Sequence, residues 1–159
     1  MKLTGKCDVE APIGFVYASI LDFAAWERSA VRRGAEVERP ASLPCEGVGA
    51  GWRIRFVYRG TQRKALIKVA ELVQNDRAAF SLDSPSVEGM SVMEVLSLST
   101  GRTRIRVQIT VKPKTIKARL FLNALRLGRS RILRGLDIRL GQFGAEVETQ
   151  FARSEAVKV

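Results

Sequence analysis

Apolar and polar residues alternate through most of the chain between residues 50 and 113, which is the period of two expected of strands with one buried face. The first strand of this region has a cationic face and an aromatic face, the latter formed by Trp52, Ile54, Phe56 and Tyr58. A tight turn at Gly60-Thr61 leads to a returning strand. Successive strands with short turns predict an antiparallel meander.

Three further strands complete the meander, and their patterns differ in clarity. In the first of them Ala78, Phe80 and Leu82 alternate with smaller or polar residues. The last one runs from Arg104 to Lys112 with perfect alternation, whereas the segment from Val87 to Ser99 changes phase near Met93 and predicts a bulge there. Shorter strands are predicted at Lys2–Val9 and around Ala35–Arg39. The sheet therefore has about seven strands.

Helical spacing appears in two other parts of the chain. Two short helices are predicted after the first strand, the first from Ile13 to Leu21 and the second beginning after a cap at Asp22 and ending at Gly34. Beyond Pro113 a single amphipathic helix is predicted from about Ile116 to Arg153. Its apolar stripe consists of Phe121, Leu125, Ile132, Leu136, Leu140, Phe143 and Val147.

Composition narrows the function classes. The 159 residues suit one domain, and the absence of histidine removes the commonest general base and most zinc and haem sites, so neither a cofactor nor a metal is expected. Cys7 and Cys45 match no metal or redox spacing and are expected to be free thiols. Met1 is followed by polar residues rather than a secretory signal, which favours a cytoplasmic protein.

The net charge of +11 favours anionic partners without saying which kind. A narrow apolar line at Leu120, Leu127 and Ile138 lies among arginines, a pattern typical of contact with an anionic membrane surface. Nucleic acid is the less favoured partner because no binding motif is present. A solvated surface and a homodimer interface are the remaining interpretations of the same residues.

Several local motifs carry a resemblance to a known superfamily. They are the opening Val9-Glu10-Ala11-Pro12 with Val16-Tyr17 behind it, Leu21-Asp22-Phe23 before Trp26, and a glycine-rich stretch from Gly47 to Trp52. Together with the order of the elements, they resemble the START-like, or SRPBCC, superfamily, which includes birch-pollen-allergen-type proteins and bacterial polyketide cyclase/dehydrase-like proteins. The resemblance covers nearly the whole chain and implies one START-like domain over residues 1–159.

The implied fold is an α+β helix-grip, in which a curved antiparallel sheet surrounds a long C-terminal helix. The resemblance also implies a deep cavity between the two that binds a hydrophobic or amphipathic small molecule, such as a lipid, a polyketide or an isoprenoid-like compound. The protein would then act as a carrier or a sensor. A polyketide cyclase/dehydrase-like enzyme is an alternative, although such enzymes often use histidine, and a basic adaptor for membranes or nucleic acid is another.

Nine residues are the candidate ligand contacts. Eight are apolar or aromatic and would line the cavity, with a solid core as the alternative interpretation of each: Trp26, Trp52, Phe56, Tyr58, Phe80, Met93, Phe121 and Leu125. The ninth, Arg129, lies inside the apolar stripe of the last helix and would bind a ligand carboxylate or phosphate. Alternatively, Arg129 pairs with Glu71 or Glu94, or extends to solvent.

The stretch Gly47-Val48-Gly49-Ala50-Gly51 contains the glycines of a phosphate-binding loop but precedes a strand instead of a helix. Dinucleotide binding is therefore disfavoured. A mobile flap beside the cavity mouth and a plain connection are the two remaining interpretations.

Overall fold

A computed structural model of the protein describes residues 1–158 and contains one seven-stranded antiparallel sheet with the helices on its concave side. The strands are β1 (Lys2–Val9), β2 (Glu36–Glu38), β3 (Gly51–Tyr58), β4 (Thr61–Val73), β5 (Arg77–Asp83), β6 (Val87–Ser99) and β7 (Arg102–Pro113). Their order in the sheet is β1-β7-β6-β5-β4-β3-β2. The predicted fold class, an α+β helix-grip with about seven strands, is confirmed.

The hairpin between β3 and β4 has a two-residue turn, since Tyr58 pairs directly with Thr61. Arg59 and Gly60 both have positive φ angles, 51° and 74°, as a type I′ turn requires. The turn therefore begins one residue earlier than the sequence predicted. Arg59 occupies a backbone region that favours glycine, so its side chain has a structural role that is described below.

The predicted bulge near Met93 is wrong, because β6 pairs through Met93 with both neighbouring strands without a shift. The register shifts lie between Val69 and Glu71 in β4 and between Ser97 and Ser99 in β6. The apparent change of phase has another cause: the concave face of β6 carries Gly89 and Ser91 where large apolar residues were expected.

Two short helices follow β1, namely α1 (Ile13–Ile20) and α2 (Phe23–Arg32). The predicted cap of α2 is present, since the backbone N–H of Ala25 donates to Asp22 Oδ1 over 3.2 Å. After the helix, Gly34 has a φ of 92°, a conformation that favours glycine. Helix α1 is anchored firmly, with Val16, Tyr17 and Ile20 buried.

The C-terminal part is not one continuous helix, which corrects the prediction for residues 116 to 153. Helix α3 (Ile116–Leu125) is followed by a single 3-10 turn (Arg126–Gly128) and then by the long helix α4 (Arg129–Val157). Gly128 has φ −104° and ψ 20°, outside the α-helical region. The spacing of apolar residues continues across this break, and so the periodicity alone did not reveal it.

Helix α4 lies close to the edge strand β1, and glycines on both elements permit the approach. A Cβ atom on Gly144 would lie 2.8 Å from Cys7 Sγ, and one on Gly5 would lie 2.8 Å from Leu140 Cδ1. Apolar burial at this contact stabilises the fold, with Leu140 and Val147 of α4 both buried. The long helix thus covers one side of the sheet and not its centre.

The buried apolar residues form two clusters. The larger one joins α1 and α4 to β1, β6 and β7, and it contains Tyr17, Ile20, Ile105 and Val147. The smaller one is centred on Trp52, Ala50 and Val69 near the other side of the sheet. Phe80 and Leu72 pack against both clusters.

Within residues 1–158, none of the helices combines the length and the apolar character needed to cross a membrane. The same residues contain no group of three or more Cys, Asp or Glu side chains placed to hold a metal ion.

Replacement of Gly144 by valine should destabilise the protein by about 1 to 3 kcal/mol, because the added methyl groups collide with Cys7 and Val9 of β1. Urea unfolding measures this change. Gly141 is the matched control, since nothing lies within 4 Å of its Cβ position in the same helix. Gly141→Val should leave the free energy of unfolding nearly unchanged, and equal losses in both variants would contradict the close packing of α4 on β1.

Candidate ligand-binding cavity

A cavity of about 410 Å³ lies between the concave face of the sheet and helix α2. Its lining is almost entirely apolar and comprises Phe23, Trp26, Glu27, Ala30, Val37, Trp52, Ile54, Ile67, Phe80, Ser81, Leu82, Gly89, Met90, Ser91, Met93, Ile109, Thr110 and Val111. None of these residues belongs to α3 or α4. The cavity was predicted under the C-terminal helix, whereas α4 packs on β1 and α2 covers the cavity instead.

Small residues on β6 create the space. Gly89 pairs with Leu82 of β5 and Val111 of β7, and Ser91 lies between Phe80 and Ile109 in the next inward row. A strand with large inward side chains at these two positions would fill the centre of the sheet. The cavity therefore follows directly from the residues of β6.

Helix α2 forms the roof with the residues Phe23, Trp26, Glu27 and Ala30, which follow one another at helical spacing on one face. No residue of α2 is fully buried. Trp26 is 41% exposed and marks the mouth of the cavity. Its ring stacks on Phe143 with centroids 5.2 Å apart, and its Nε1 donates to the backbone oxygen of Ile20 over 2.8 Å.

Glu27 is the one ionisable side chain among the lining residues, and two neighbours bind it. Trp52 Nε1 donates to Glu27 Oε1 over 2.6 Å, and Arg39 Nε donates to the same oxygen over 2.5 Å. The Arg39 guanidinium also lies 5.1 Å from the centre of the Trp52 ring, a cation–π distance. This arrangement, here named the Glu27 triad, joins α2 to β3 and to the segment after β2.

Burial alone would raise the pKa of the Glu27 carboxyl, but the hydrogen bonds from Trp52 and Arg39 and the positive charge of Arg39 outweigh it. The pKa therefore lies below the ordinary value for glutamate, and the carboxylate is charged at neutral pH. Since Arg39 neutralises this charge, the cavity as a whole favours uncharged ligand surface.

Four of the nine predicted contacts line the cavity, namely Trp26, Trp52, Phe80 and Met93. Phe56 and Tyr58 lie on the same face of β3 but beyond the end of the cavity, and both are partly exposed. The other three, Phe121, Leu125 and Arg129, belong to the C-terminal segment and do not line it. Ligand contact by the four lining residues stays a prediction.

Tyr58 and Phe121 meet each other away from the cavity. Their ring centroids are 6.3 Å apart, and the Arg59 guanidinium lies 5.5 Å from the first ring and 5.2 Å from the second. Arg59 therefore ties the tip of the β3–β4 hairpin to α3. This contact explains why a non-glycine residue occupies a left-handed turn position.

Arg129 is exposed in the first turn of α4, because the buried residues of this helix begin only at Leu140 and its first turns are not covered. Glu71, one of its expected partners, pairs instead with Arg77 over 2.7 Å. Among the described residues Arg129 forms no ion pair, so its side chain extends to solvent.

The glycine-rich stretch does not reach the cavity, since no residue from 40 to 51 is in its lining. Gly47 and Gly49 have positive φ angles, and backbone hydrogen bonds of 2.8 Å join Gly49 and Ala50 to Val69 of β4. These bonds, with Ala50 fully buried, attach the loop to the sheet.

Glu27, Phe23 and the inward residues of β4 and β7 line the cavity but were not predicted from the sequence as ligand contacts. The spacing of Phe23, Trp26 and Ala30 on one side of a short helix was a usable signal, because such a helix needs something apolar to cover. No sequence pattern marked Glu27, whose role depends on Trp52, 25 residues away.

No protein-family model matches the sequence, and a search of curated proteins found no significant sequence match. Solved structures match it closely in shape. A protein from Thermus thermophilus has a TM-score of 0.69 at 17% identity, covering 94% of this chain and 99% of its own. The Zhui aromatase/cyclase from a Streptomyces species (R1128) has a TM-score of 0.68 at 16% identity, covering 95% of both chains.

A START superfamily protein from Mycobacterium smegmatis matches with a TM-score of 0.55 at 15% identity, covering 87% of this chain and 96% of its own. The chain has a START-like fold. The resemblance inferred from the motifs is thereby confirmed at the level of the fold. In this START-like fold the cavity described above lies on the concave side of the sheet, under the short helix α2.

Glu27→Gln should destabilise the protein in a pH-dependent manner. The pKa of Glu27 is lower in the folded than in the unfolded chain, so its contribution is present above about pH 4.3, the ordinary glutamate value, and is lost as the pH falls through the folded value. The difference in unfolding free energy between wild type and variant should therefore be largest near neutral pH and shrink in acid. Urea unfolding at several pH values measures it.

Glu46→Gln is the matched control, because Glu46 is exposed and takes part in no ion pair within residues 1–158. It should unfold like the wild type at every pH. A constant difference between wild type and Glu27→Gln down to acid pH would contradict the charge role of the Glu27 triad.

Proposed function

We propose that the protein binds a hydrophobic or amphipathic small molecule in the cavity under α2, as a carrier or a sensor. The supporting observation is an apolar cavity of about 410 Å³ that the fold leaves open at the centre of its sheet. Ligand sites in proteins have volumes of roughly 300 to 1,000 Å³ and are mostly apolar with few polar groups. The cavity has both properties.

The incomplete burial of α2 supports the same proposal. Its apolar face is directed at the cavity, yet none of its residues is fully buried. An apolar ligand would remove part of this face from water, at about 25 cal/mol for each Å² covered. Ligand binding would thus stabilise α2 in its position over the sheet.

The chemistry of the lining indicates the class of ligand. The single ionisable lining residue, Glu27, is already paired with Arg39, which leaves no free charge for an ionic headgroup. The buried part of the ligand is therefore neutral, as in the body of a lipid, a polyketide or an isoprenoid-like compound. A charged end would extend past Trp26 into water.

A polyketide cyclase/dehydrase-like enzyme is the second candidate, favoured by the similarity to the Zhui aromatase/cyclase. Such a reaction would need an acid or a base in the cavity, and Glu27 is the ionisable side chain present there. Because its carboxylate already accepts bonds from Trp52 and Arg39, a binding role is better supported than catalysis.

The proposed setting is the cytoplasm. Cys7 and Cys45 are both free thiols, and Cys45 is exposed. An exposed free thiol is compatible with a reducing compartment, where it is not drawn into disulfides.

Ser91→Phe should abolish ligand uptake, because the ring would occupy the space that Ser91 leaves between Phe80 and Ile109. The neutral fluorescent probe N-phenyl-1-naphthylamine reports on this, and we expect saturable 1:1 binding to the wild type with at least about tenfold weaker binding to the variant. Native mass spectrometry of the freshly purified wild type should show a co-purified compound.

Val92→Phe is the matched control, since Val92 is the next residue of β6 and lies on the opposite face of the sheet. It adds the same ring outside the cavity and should leave probe affinity within about twofold of the wild type. Circular dichroism checks that both variants fold. Unchanged probe affinity in a folded Ser91→Phe variant would exclude the cavity as the binding site.

A further inference from the structure

A second surface of the molecule is rich in basic residues and contains no acidic ones. Residues 114–136, which cover α3, the 3-10 turn and the start of α4, contain no acidic residue. They contain the cations Lys114, Lys117, Arg119, Arg126, Arg129, Arg131 and Arg134, all of them exposed. We name this segment the basic segment. Its charge exceeds what a solvated helix surface with mixed signs would carry.

Large apolar side chains lie exposed in the same segment. Ile116 is 80% exposed, Leu120 is 65% exposed and Leu127 is 93% exposed. Ile116 and Leu120 are one turn apart on one face of α3, opposite the buried residues Ala118 and Leu122. Helix α3 therefore packs on the protein with one face and presents a second apolar face to the outside.

The cations around this face are free to meet a partner. Of the seven, Lys114 alone forms an ion pair in the described part of the chain, with Asp83. By contrast, Arg53, Arg102 and Arg104 on the convex face of the sheet are each paired with a carboxylate. Other cations without an ion pair within residues 1–158, such as Arg55, Lys64 and Lys68, lie on the convex face, but the basic segment combines such cations with large exposed apolar side chains and contains no acidic residue.

We propose that the basic segment docks on the surface of an anionic phospholipid bilayer. In this arrangement Ile116, Leu120 and Leu127 enter the boundary between headgroups and acyl chains, and the surrounding cations contact lipid phosphates. Neither property suffices alone, since apolar side chains supply the insertion and charge supplies the preference for anionic lipid.

Charge and composition favour a bilayer over other partners. A second copy of the chain would bring two basic segments together, and like charges in contact repel. A single-stranded nucleic acid would need aromatic side chains on which bases stack. The one aromatic residue of the segment is Phe121, which is already in contact with Tyr58 and Arg59.

The docking surface adjoins one end of the cavity. The lining reaches Leu82, Gly89 and Val111 at the ends of β5, β6 and β7, and β7 continues through Pro113 into α3. A bilayer at the basic segment would therefore lie beside this end of the cavity. The docking proposal does not depend on the ligand proposal, because it concerns residues outside the cavity lining.

Co-sedimentation with vesicles tests the charge. We expect the wild type to bind vesicles of phosphatidylcholine with about one third phosphatidylglycerol, and to bind pure phosphatidylcholine vesicles far more weakly. Arg126→Gln, Arg129→Gln and Arg131→Gln combined should weaken binding to the anionic vesicles by about 10- to 100-fold. The matched control, Arg55→Gln, Lys64→Gln and Lys68→Gln combined, removes three charges from the convex face of β3 and β4 and should lower it less than about threefold.

Serine variants test the apolar contact. The double variant Leu120→Ser and Leu127→Ser should bind the anionic vesicles at least about tenfold more weakly. Its remaining binding should be more sensitive to salt, because it rests on charge alone. Val57→Ser with Leu96→Ser is the control, because these residues are 71% and 60% exposed on strands of the sheet. It should bind like the wild type. N-phenyl-1-naphthylamine binding is measured in parallel and should be unchanged in all four variants, which separates this proposal from the function of the cavity.

Several results would overturn the proposal. Equal losses in the basic-segment variant and its convex-face control would show general charge attraction only. Equal binding to neutral and anionic vesicles would remove the role of the cations. Tighter binding to a single-stranded oligonucleotide than to the vesicles, or a dimer in analytical ultracentrifugation that the Leu120 and Leu127 variant abolishes, would identify a different partner.

Discussion

The close contact between α4 and β1 determines where the molecule has open space. Gly144 and Gly5 let the long helix lie directly on the edge strand, where its apolar residues are buried. A helix fixed there cannot also cover β5 and β6. The core consequently divides into two clusters, and the small residues Gly89 and Ser91 keep the region between them empty. The cavity thus depends both on the small residues of β6 and on the position of α4 at the edge of the sheet.

The roof of the cavity is held by polar contacts more than by burial. Helix α2 has no fully buried residue, but Glu27 accepts hydrogen bonds from Trp52 and Arg39, and Trp26 stacks on Phe143. Hydrogen bonds to a charged group are worth roughly 1.5 to 3 kcal/mol and depend on geometry. A roof attached in this way keeps its position without filling the space below it.

Alternation in the sequence predicted the strands well, because residues such as Trp52 and Ile54 alternate wherever one face of a strand is buried. It also predicted β6 with its observed bounds, but the bulge expected near Met93 was wrong, because the small concave residues Gly89 and Ser91 leave no apolar signal in the alternation. The nine predicted contacts show the same limit. Phe80 and Met93 line the cavity. Tyr58 lies on the same face of β3 as Trp52, but beyond the end of the cavity. Arg129 has the helical spacing of the apolar stripe but is exposed, because the buried part of α4 begins only at Leu140, and periodicity does not show which turns of a helix are covered.

Arg59 gives the β3–β4 hairpin a second attachment point. Strand β3 carries Trp52 in the cavity wall at one end and Tyr58 at the other, roughly 20 Å away at the usual rise of a strand. Arg59 stacks on both Tyr58 and Phe121, so this side chain connects the hairpin tip to α3. A displacement of α3 would therefore also displace the hairpin tip, which belongs to the same strand as Trp52 in the wall of the cavity.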